Sequence, residues 1–307
     1  MKVLGFGAIL WDDIKDDDEN LNSDSIIGEQ NIGGAVFNVI VHMQKLGCDA
    51  HMLSAIGDDK LGEKTFKEID CLQVSKKFIN KVKSPTCIIQ VRFDQKGFPH
   101  YSSPETVSWD QIKLDAHQII EIDELKFDFF VFGTLEQRNS ISRKTLHTVL
   151  EKVHFKYVYI DLTLRGNFYS KEVLDYSMRK SNIVKMNDDE ALVVNKLFDF
   201  RQTDFKQLIP IIAREFDNDV VCVTLGEKGA CIGDKSFVIY KPAYNIEVKD
   251  TVGSGDGFSA GLLYMLGKGA SLDEACDFSN KMGALISSKK SSIPDYDFCE
   301  LENMKLV

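Results

Sequence analysis

Short runs of aliphatic and β-branched residues recur along the chain. Each is followed by a longer segment in which apolar side chains return at every third or fourth position. This alternation predicts a mainly parallel sheet covered by helices. Strands are expected at 2–10, 50–56, 127–132, 157–162, 183–186, 220–225, 230–232 and 237–240. In the first helical segment, 35–46, Val36, Val39, Ile40, Met43 and Leu46 share one face and Gly47 is placed to cap it. Further helices are expected at 140–152, 171–178, 188–196, 204–215, 256–266 and 272–288.

One region departs from this pattern. Cys87, Ile89, Val91 and Phe93 alternate with other side chains, and Asp94, Gln95, Lys96 and Gly97 then turn the chain into 98–101, which reads as a β-hairpin. A hairpin has no place inside a parallel sheet. With the extended stretch 13–31 it is expected to form a small β appendage, 13–31 plus 86–104. The α/β core would then comprise 1–12, 32–85 and 105–307.

Composition narrows the function. Among 307 residues, 37 Lys and Arg stand against 47 Asp and Glu, a formal net charge of −10 with an isoelectric point near 5.2. A protein that tracks nucleic acid through a basic face is thereby excluded. Half of the excess lies in one run: Asp12, Asp13, Asp16, Asp17, Asp18 and Glu19 against Lys15 leave −5. The apolar stretch from Val3 to Trp11 is short and holds Gly5 and Gly7, so it reads as a strand and not as a signal peptide. No window is long and apolar enough for a membrane span. Seven cysteines without a C-x-x-C pair suit reduced thiols in a cytoplasm. The six histidines form no H-x-H or H-E-x-x-H cluster, which argues against a zinc site.

The segment 250–258, Asp-Thr-Val-Gly-Ser-Gly-Asp-Gly-Phe, leads straight into an apolar helix. Small residues at Gly253, Ser254 and Gly255 let backbone approach a ligand, and the helix start leaves N–H groups without intrahelical acceptors, so an anion hole is expected there. Asp256 beside those donors could take a proton from a substrate hydroxyl. A glycine-rich turn with Asp256 as helix cap is the plainer alternative. Two other phosphate motifs fail. In 57–65 Glu63 stands where a P-loop needs lysine, and Leu10 stands where a dinucleotide fingerprint needs its third glycine.

This segment resembles the second signature, D-T-x-G-[AS]-G-D-x-F, of the ribokinase-like (PfkB) sugar kinases. Other pieces follow in the family's order. Gly33-Gly34-Ala35-Val36-Phe37-Asn38 resembles G-G-A-x-x-N, and Gly7 to Asp12 the G-E-x-L-W-D start of fructokinase-like members. Asp161 to Arg165 resembles D-x-N-x-R, with Thr163 in place of Asn. Asn187-Asp188-Asp189-Glu190 resembles N-x-x-E, and 224–230 the T-x-G-x-x-G nucleotide loop.

The resemblance implies a three-layer α/β/α fold with a central mainly parallel sheet and a small β lid. It implies ATP and Mg²⁺ as cosubstrate and metal, with a potassium requirement left open because Ser291-Ser292 replaces the family's Gly-Ala. Asp256 would be the base; Gly253, Ser254, Gly255 and Asp256 would form the anion hole. Asp12, Gly33, Gly34 and Asn38 would hold the sugar, with Arg165 on substrate or phosphate. Asn187, Thr224, Gly226, Gly229 and Gly255 would face the nucleotide. Asn187 and Glu190 would organise Mg²⁺ largely through water, an arrangement compatible with a simple capping box. Thr224, Gly226 and Gly229 are equally compatible with a hairpin turn. The implied activity is phosphoryl transfer from ATP to a primary hydroxyl of fructose or a related ketose. The alternatives are a ketodeoxygluconate kinase or another acceptor on the same scaffold, and a sugar or nucleotide sensor without turnover. The implied partners are small molecules, with lids that pair across a homodimer.

Overall fold

The computed structural model describes residues 1–15, 29–93, 99–102, 104–302 and 304. Among them the strands are β1 (Lys2–Phe6), β2 (Leu10–Lys15), β3 (Glu29–Gly33), β4 (Asp49–Gly57), β5 (Ser75–Val82), β6 (Cys87–Phe93), β7 (Pro99–Ser102), β8 (Phe129–Phe132), β9 (Tyr157–Asp161), β10 (Ile183–Asn187), β11 (Val220–Thr224), β12 (Ala230–Gly233) and β13 (Val238–Lys241). Nine form one sheet in the order β13-β12-β11-β10-β9-β8-β1-β4-β5, parallel except for β12 and β13 at one edge. β3, β2, β6 and β7 form a separate four-stranded sheet.

Alternation along each strand builds two apolar layers. Val3, Phe129, Val131, Tyr159, Ile183 and Cys222 face the helices Ala35–Lys45, Ser254–Gly267 and Leu272–Ser287. Leu4, Phe130, Phe132, Ile160, Val184 and Val221 face the opposite way, onto helices that include Ser140–Lys152 and Phe205–Phe216. The result is the expected three-layer α/β/α arrangement.

Three departures from the expected elements have physical reasons. The predicted strand 2–10 is interrupted: β1 stops at Phe6, the Gly7 amide donates to the Leu53 carbonyl (3.2 Å), and the chain crosses into the small sheet at Leu10. Because Ala8 and Ile9 are buried too, the apolar run gives no sign of the crossing. β5 was not expected, since Lys76, Lys77 and Lys81 interrupt its pattern and only Phe78 is fully buried; it is a charged sheet edge. The failed P-loop at 57–65 is the start of a helix, Lys60–Cys71, whose cap Asp59 accepts from the Gly62 amide (2.7 Å) and from Thr86. The helix Ala116–Leu125, capped by Asp115, was also not expected.

The appendage is present in outline. β2 runs antiparallel to β3 and parallel to β6, and β6 pairs antiparallel with β7. The acidic residues 16–19 and the turn 94–97 lie outside the described residues. No helix among the described residues is long and apolar enough to cross a membrane.

Candidate active site

In a parallel sheet the strands share one carboxyl end, and ligands gather there, at the crevice where the chain switches direction. Here β1 lies between β4 and β8, so the loops after β1, β8, β9, β10 and β11 open on one side.

Into that opening projects the helix Ser254–Gly267. Gly253 caps it with φ 79°, a left-handed conformation that glycine adopts without strain, and a Cβ there would meet the Ser292 backbone at 2.5 Å. The Ser254 amide is already used, donating to the Thr251 carbonyl (3.2 Å), and the Gly257 amide begins the helical ladder at Gly253. Of the four amides expected as donors, those of Gly253, Gly255 and Asp256 are thus without an acceptor among the described residues, at the positive end of the helix dipole.

Asp256 sits in this first turn. The Asn38 Nδ2 donates to its Oδ2 at 2.7 Å, a contact between residues 218 apart in sequence. Burial pushes the Asp256 carboxyl up to about 6; Asn38 opposes the shift, Asp161 adds to it, and Lys185 and Arg165 oppose it. Asn38 reaches this place because Gly34, with φ 128°, starts the helix Ala35–Lys45 hard against β1, where a Cβ would lie 2.3 Å from the Ala8 carbonyl oxygen. The other Asn38 amide atom, Oδ1, is buried without a partner among the described residues.

Asp12 on β2 lies beside the same opening. A Cβ on Gly33 would stand 3.5 Å from the Asp12 Oδ2 and 3.7 Å from the Asn38 Oδ1, so Asp12, Gly33 and Asn38 converge. Burial pushes the Asp12 carboxyl up to about 6. A fourth polar group was missed in the sequence. Glu136, buried after β8, accepts the Ala8 amide at 2.7 Å through Oε1, while its Oε2 has no partner among the described residues. Burial raises its pKa. A buried acceptor without a partner costs free energy unless a ligand satisfies it, and Asn38 and Glu136 each carry one among the described residues.

Beneath the helix start lies a second feature absent from the sequence reading. Lys185 and Asp161 are register partners on β10 and β9, on the face that carries Tyr159 and Ile183, and they form a buried ion pair of 2.8 Å. The Lys185 ammonium would lie 3.1 Å from a Cβ on Gly255, so a positive charge underlies the free amides of the helix start. Burial alone would lower the Lys185 pKa, but Asp161, Glu190 and Asp256 outweigh it and hold the group above its ordinary range. Ser259 adds a donor to Asp161 (3.2 Å) and accepts from Tyr159 (2.6 Å). A lone lysine inside the apolar run Ile183 to Met186 was the available signal.

Along the sheet, Asn187 caps the helix Asp188–Leu197. Its Oδ1 accepts the Glu190 amide (2.8 Å), and Glu190 Oε2 accepts the Asn187 amide (2.9 Å), a capping box. Glu190 Oε1 accepts the Leu164 amide at 2.8 Å. Burial, with Asp161 next, raises the Glu190 pKa. Asn187 pairs in register with Thr224, and the turn beyond carries Gly226 (φ 57°) and Gly229 (φ 98°) into the antiparallel β12. The hairpin is thus real, and it starts beside Asn187. Arg165 is exposed, forms no ion pair among the described residues, and lines a concavity of about 280 Å³ with Leu164, Tyr169, Asn187 and Glu190. Thr163, where the family has Asn, holds φ 39°, a conformation that a β-branched residue adopts only under strain.

Free amides at a helix start, a lysine beneath them, a carboxylate beside them and buried acceptors without partners among the described residues are features that phosphoryl transfer to a polyhydroxyl acceptor can use. The model of the pfkB family of carbohydrate kinases matches residues 2–298, and the chain belongs to that family. A sugar kinase of Pyrococcus horikoshii is 26% identical over 306 residues, covering 94% of this chain and 91% of the relative. Its crystal structure in complex with ATP superposes with a TM-score of 0.78 at 25% identity, covering 95% of this chain and 94% of that one. Ribokinase from Thermotoga maritima (TM-score 0.78, 17% identity, 98% of each chain) shares the fold. So does fructokinase from Vibrio cholerae O395 in its form bound to fructose, ADP and calcium (TM-score 0.78, 21% identity, 95% of each chain). The chain has the ribokinase-like α/β fold and is a carbohydrate kinase.

Proposed function

We propose that this kinase transfers the γ-phosphoryl group of ATP to a primary hydroxyl of fructose or a closely related ketose, with Asp256 as the general base. The observation that carries the reading is the Asn38 side chain. One of its amide atoms orients Asp256 and the other, unpaired, stands beside Asp12 where a sugar hydroxyl can donate to it. Asp12, Asn38 and Glu136 hold the acceptor's hydroxyls. Asp256 takes the proton from the attacking hydroxyl as its oxygen bonds to the γ-phosphorus. The bond from that phosphorus to the bridging oxygen breaks, and ADP leaves. The Gly255 and Asp256 amides, with Lys185 below them, stabilise the charge that builds on the transferring oxygens. Thr224, Gly226 and Gly229 border the nucleotide groove, with Arg165 at its mouth. The small sheet acts as a lid that excludes water, which would otherwise compete as acceptor.

The donor set fits a hydrated Mg²⁺ rather than a directly ligated one. Both Glu190 oxygens already accept backbone amides, and no group of three or more His, Cys, Asp or Glu among the described residues could hold a metal ion. Asn187 and Glu190 would hold the ion through its waters, and the ion would neutralise phosphate charge.

Release of ADP with Mg²⁺ and ATP, measured against fructose, tagatose, ribose, ketodeoxygluconate and adenosine, tests the assignment. Fructose or tagatose is expected to raise the rate at least about tenfold over the acceptor-free rate. Stimulation confined to another compound moves the acceptor; no stimulation by any of them, with ATP still bound, removes the kinase reading in favour of a sensor.

The acid limb of the reaction follows from burial. Asp256 must be ionised to accept a proton and its carboxyl lies at about 6, so kcat/KM should rise with pH up to about 6 and level off above it. A profile that stays flat from pH 7 down to 4.5 would exclude Asp256 as the base.

A further inference from the structure

The loop 291–296 presses on the anion hole, and the helix that carries Asn38 also holds that loop. Ser292 packs against Gly253 so closely that no side chain fits between them, and its Oγ would be 3.9 Å from a Cβ on Gly33. Ser292 therefore touches both halves of the site. Ser291, before it, has φ 141°, which a residue with a side chain keeps only when its surroundings impose it.

His42 supplies that constraint. It is fully buried on the helix Ala35–Lys45, one turn beyond Asn38 and on the same face. Its Nε2 is 2.9 Å from the Ser292 carbonyl oxygen and its Nδ1 is 3.2 Å from the Tyr296 hydroxyl. A carbonyl can only accept, so Nε2 carries the proton. In the neutral ring Nδ1 then accepts from the Tyr296 hydroxyl, and both ring nitrogens are satisfied in one tautomer. Burial holds the ring neutral, with its pKa lowered to about 4. One turn further along, the Lys45 ammonium donates to the carbonyls of Ile293 (3.2 Å) and Pro294 (2.6 Å) and to Asp295 (3.2 Å). Nothing in the phosphoryl-transfer scheme uses His42, yet a buried, fully bonded histidine is an expensive way to fill a core position that a leucine could occupy.

We infer that His42 is a positioning residue. Its Nε2–H fixes the Ser292 carbonyl, and through it the loop 291–296, against Gly253, so that one rigid helix sets both the Asn38 contact to Asp256 and the placement of the anion hole. The inference rests on the kinase reading only for its effect on rate; its effect on the loop stands apart from turnover.

Three variants test it. His42→Leu removes both bonds, His42→Gln restores a donor near the Nε2 position, and Tyr296→Phe removes the hydroxyl while leaving His42 in place. In His42→Leu, amide hydrogen exchange across 291–296 and 253–256 is expected to quicken at least about tenfold, with exchange in β1 unchanged. In the wild type's best acceptor, kcat should fall at least about tenfold with the acceptor KM within about twofold, and His42→Gln should recover most of both effects. Tyr296→Phe should show a smaller loss in the same direction. Unchanged exchange in 291–296 in a folded His42→Leu, or a Gln variant as impaired as Leu, overturns the inference. If His42→Leu does not fold, unchanged exchange in Tyr296→Phe overturns it instead. A wild type that transfers no phosphoryl group defeats the kinase reading, and the exchange measurement still decides the role of His42.

Discussion

Replacing Asp256 with Asn should lower kcat by a factor of about 10²–10⁴, the range that removal of a positioned general base produces, while ATP affinity stays within about twofold. The substitution is nearly isosteric. An asparagine oxygen can still accept from the Asn38 Nδ2, now at 2.7 Å from the carboxylate, so the geometry of the first helical turn is kept. The free amides of Gly253, Gly255 and Asp256 belong to the backbone and are unaffected. What disappears is the ability to receive a proton. Steady-state rates with the best acceptor, together with a direct ATP titration, check this. A variant with kcat within about threefold of wild type would show that the acceptor loses its proton elsewhere.

Lys185→Met should strongly destabilise the fold. The ammonium and Asp161 are both buried, and removing one partner leaves an uncompensated carboxylate, at a cost of about 3–5 kcal/mol. Methionine matches the lysine stem in volume, so the loss reports charge and not a cavity. A second effect separates a functional role from a structural one. Lys185 helps to hold the Asp256 pKa down, so its loss should shift the acid limb of kcat/KM to higher pH. Denaturant unfolding and a pH profile read the two effects. Unchanged stability, or a limb that stays at about 6, would mean that the ion pair and the anion hole are independent despite their proximity.

How far the site could be read in advance depended on the distance in sequence over which each part is built. The helix start at 253–256, the glycine pair before Asn38 and the Asn187–Glu190 box are each formed within a few residues, so their local geometry follows from residues adjacent in sequence. Ser254 was expected among the free amides, and its engagement with Thr251 depends on turn geometry that composition does not reveal. The first strand was overextended for a related reason. Pairing partners decide which sheet a segment joins, and the segment from Leu10 pairs with β3 and β6, far from it in the chain.

Sequence alone determined the layered α/β architecture, the net acidic charge and the local glycine turns and helix caps, because periodicity, charge and turn chemistry are properties of neighbouring residues. Tertiary structure decided which of those devices share one site. The Asn38–Asp256 contact spans 218 residues, the Glu136 contact to Ala8 spans 128, and the His42 contact to Ser292 spans 250. Lys185 reaches the anion hole only because β9 and β10 align in register beneath the helix Ser254–Gly267. Such convergence arises when the sheet buries its two faces and draws distant loops to one edge, and no interval along the chain encodes it.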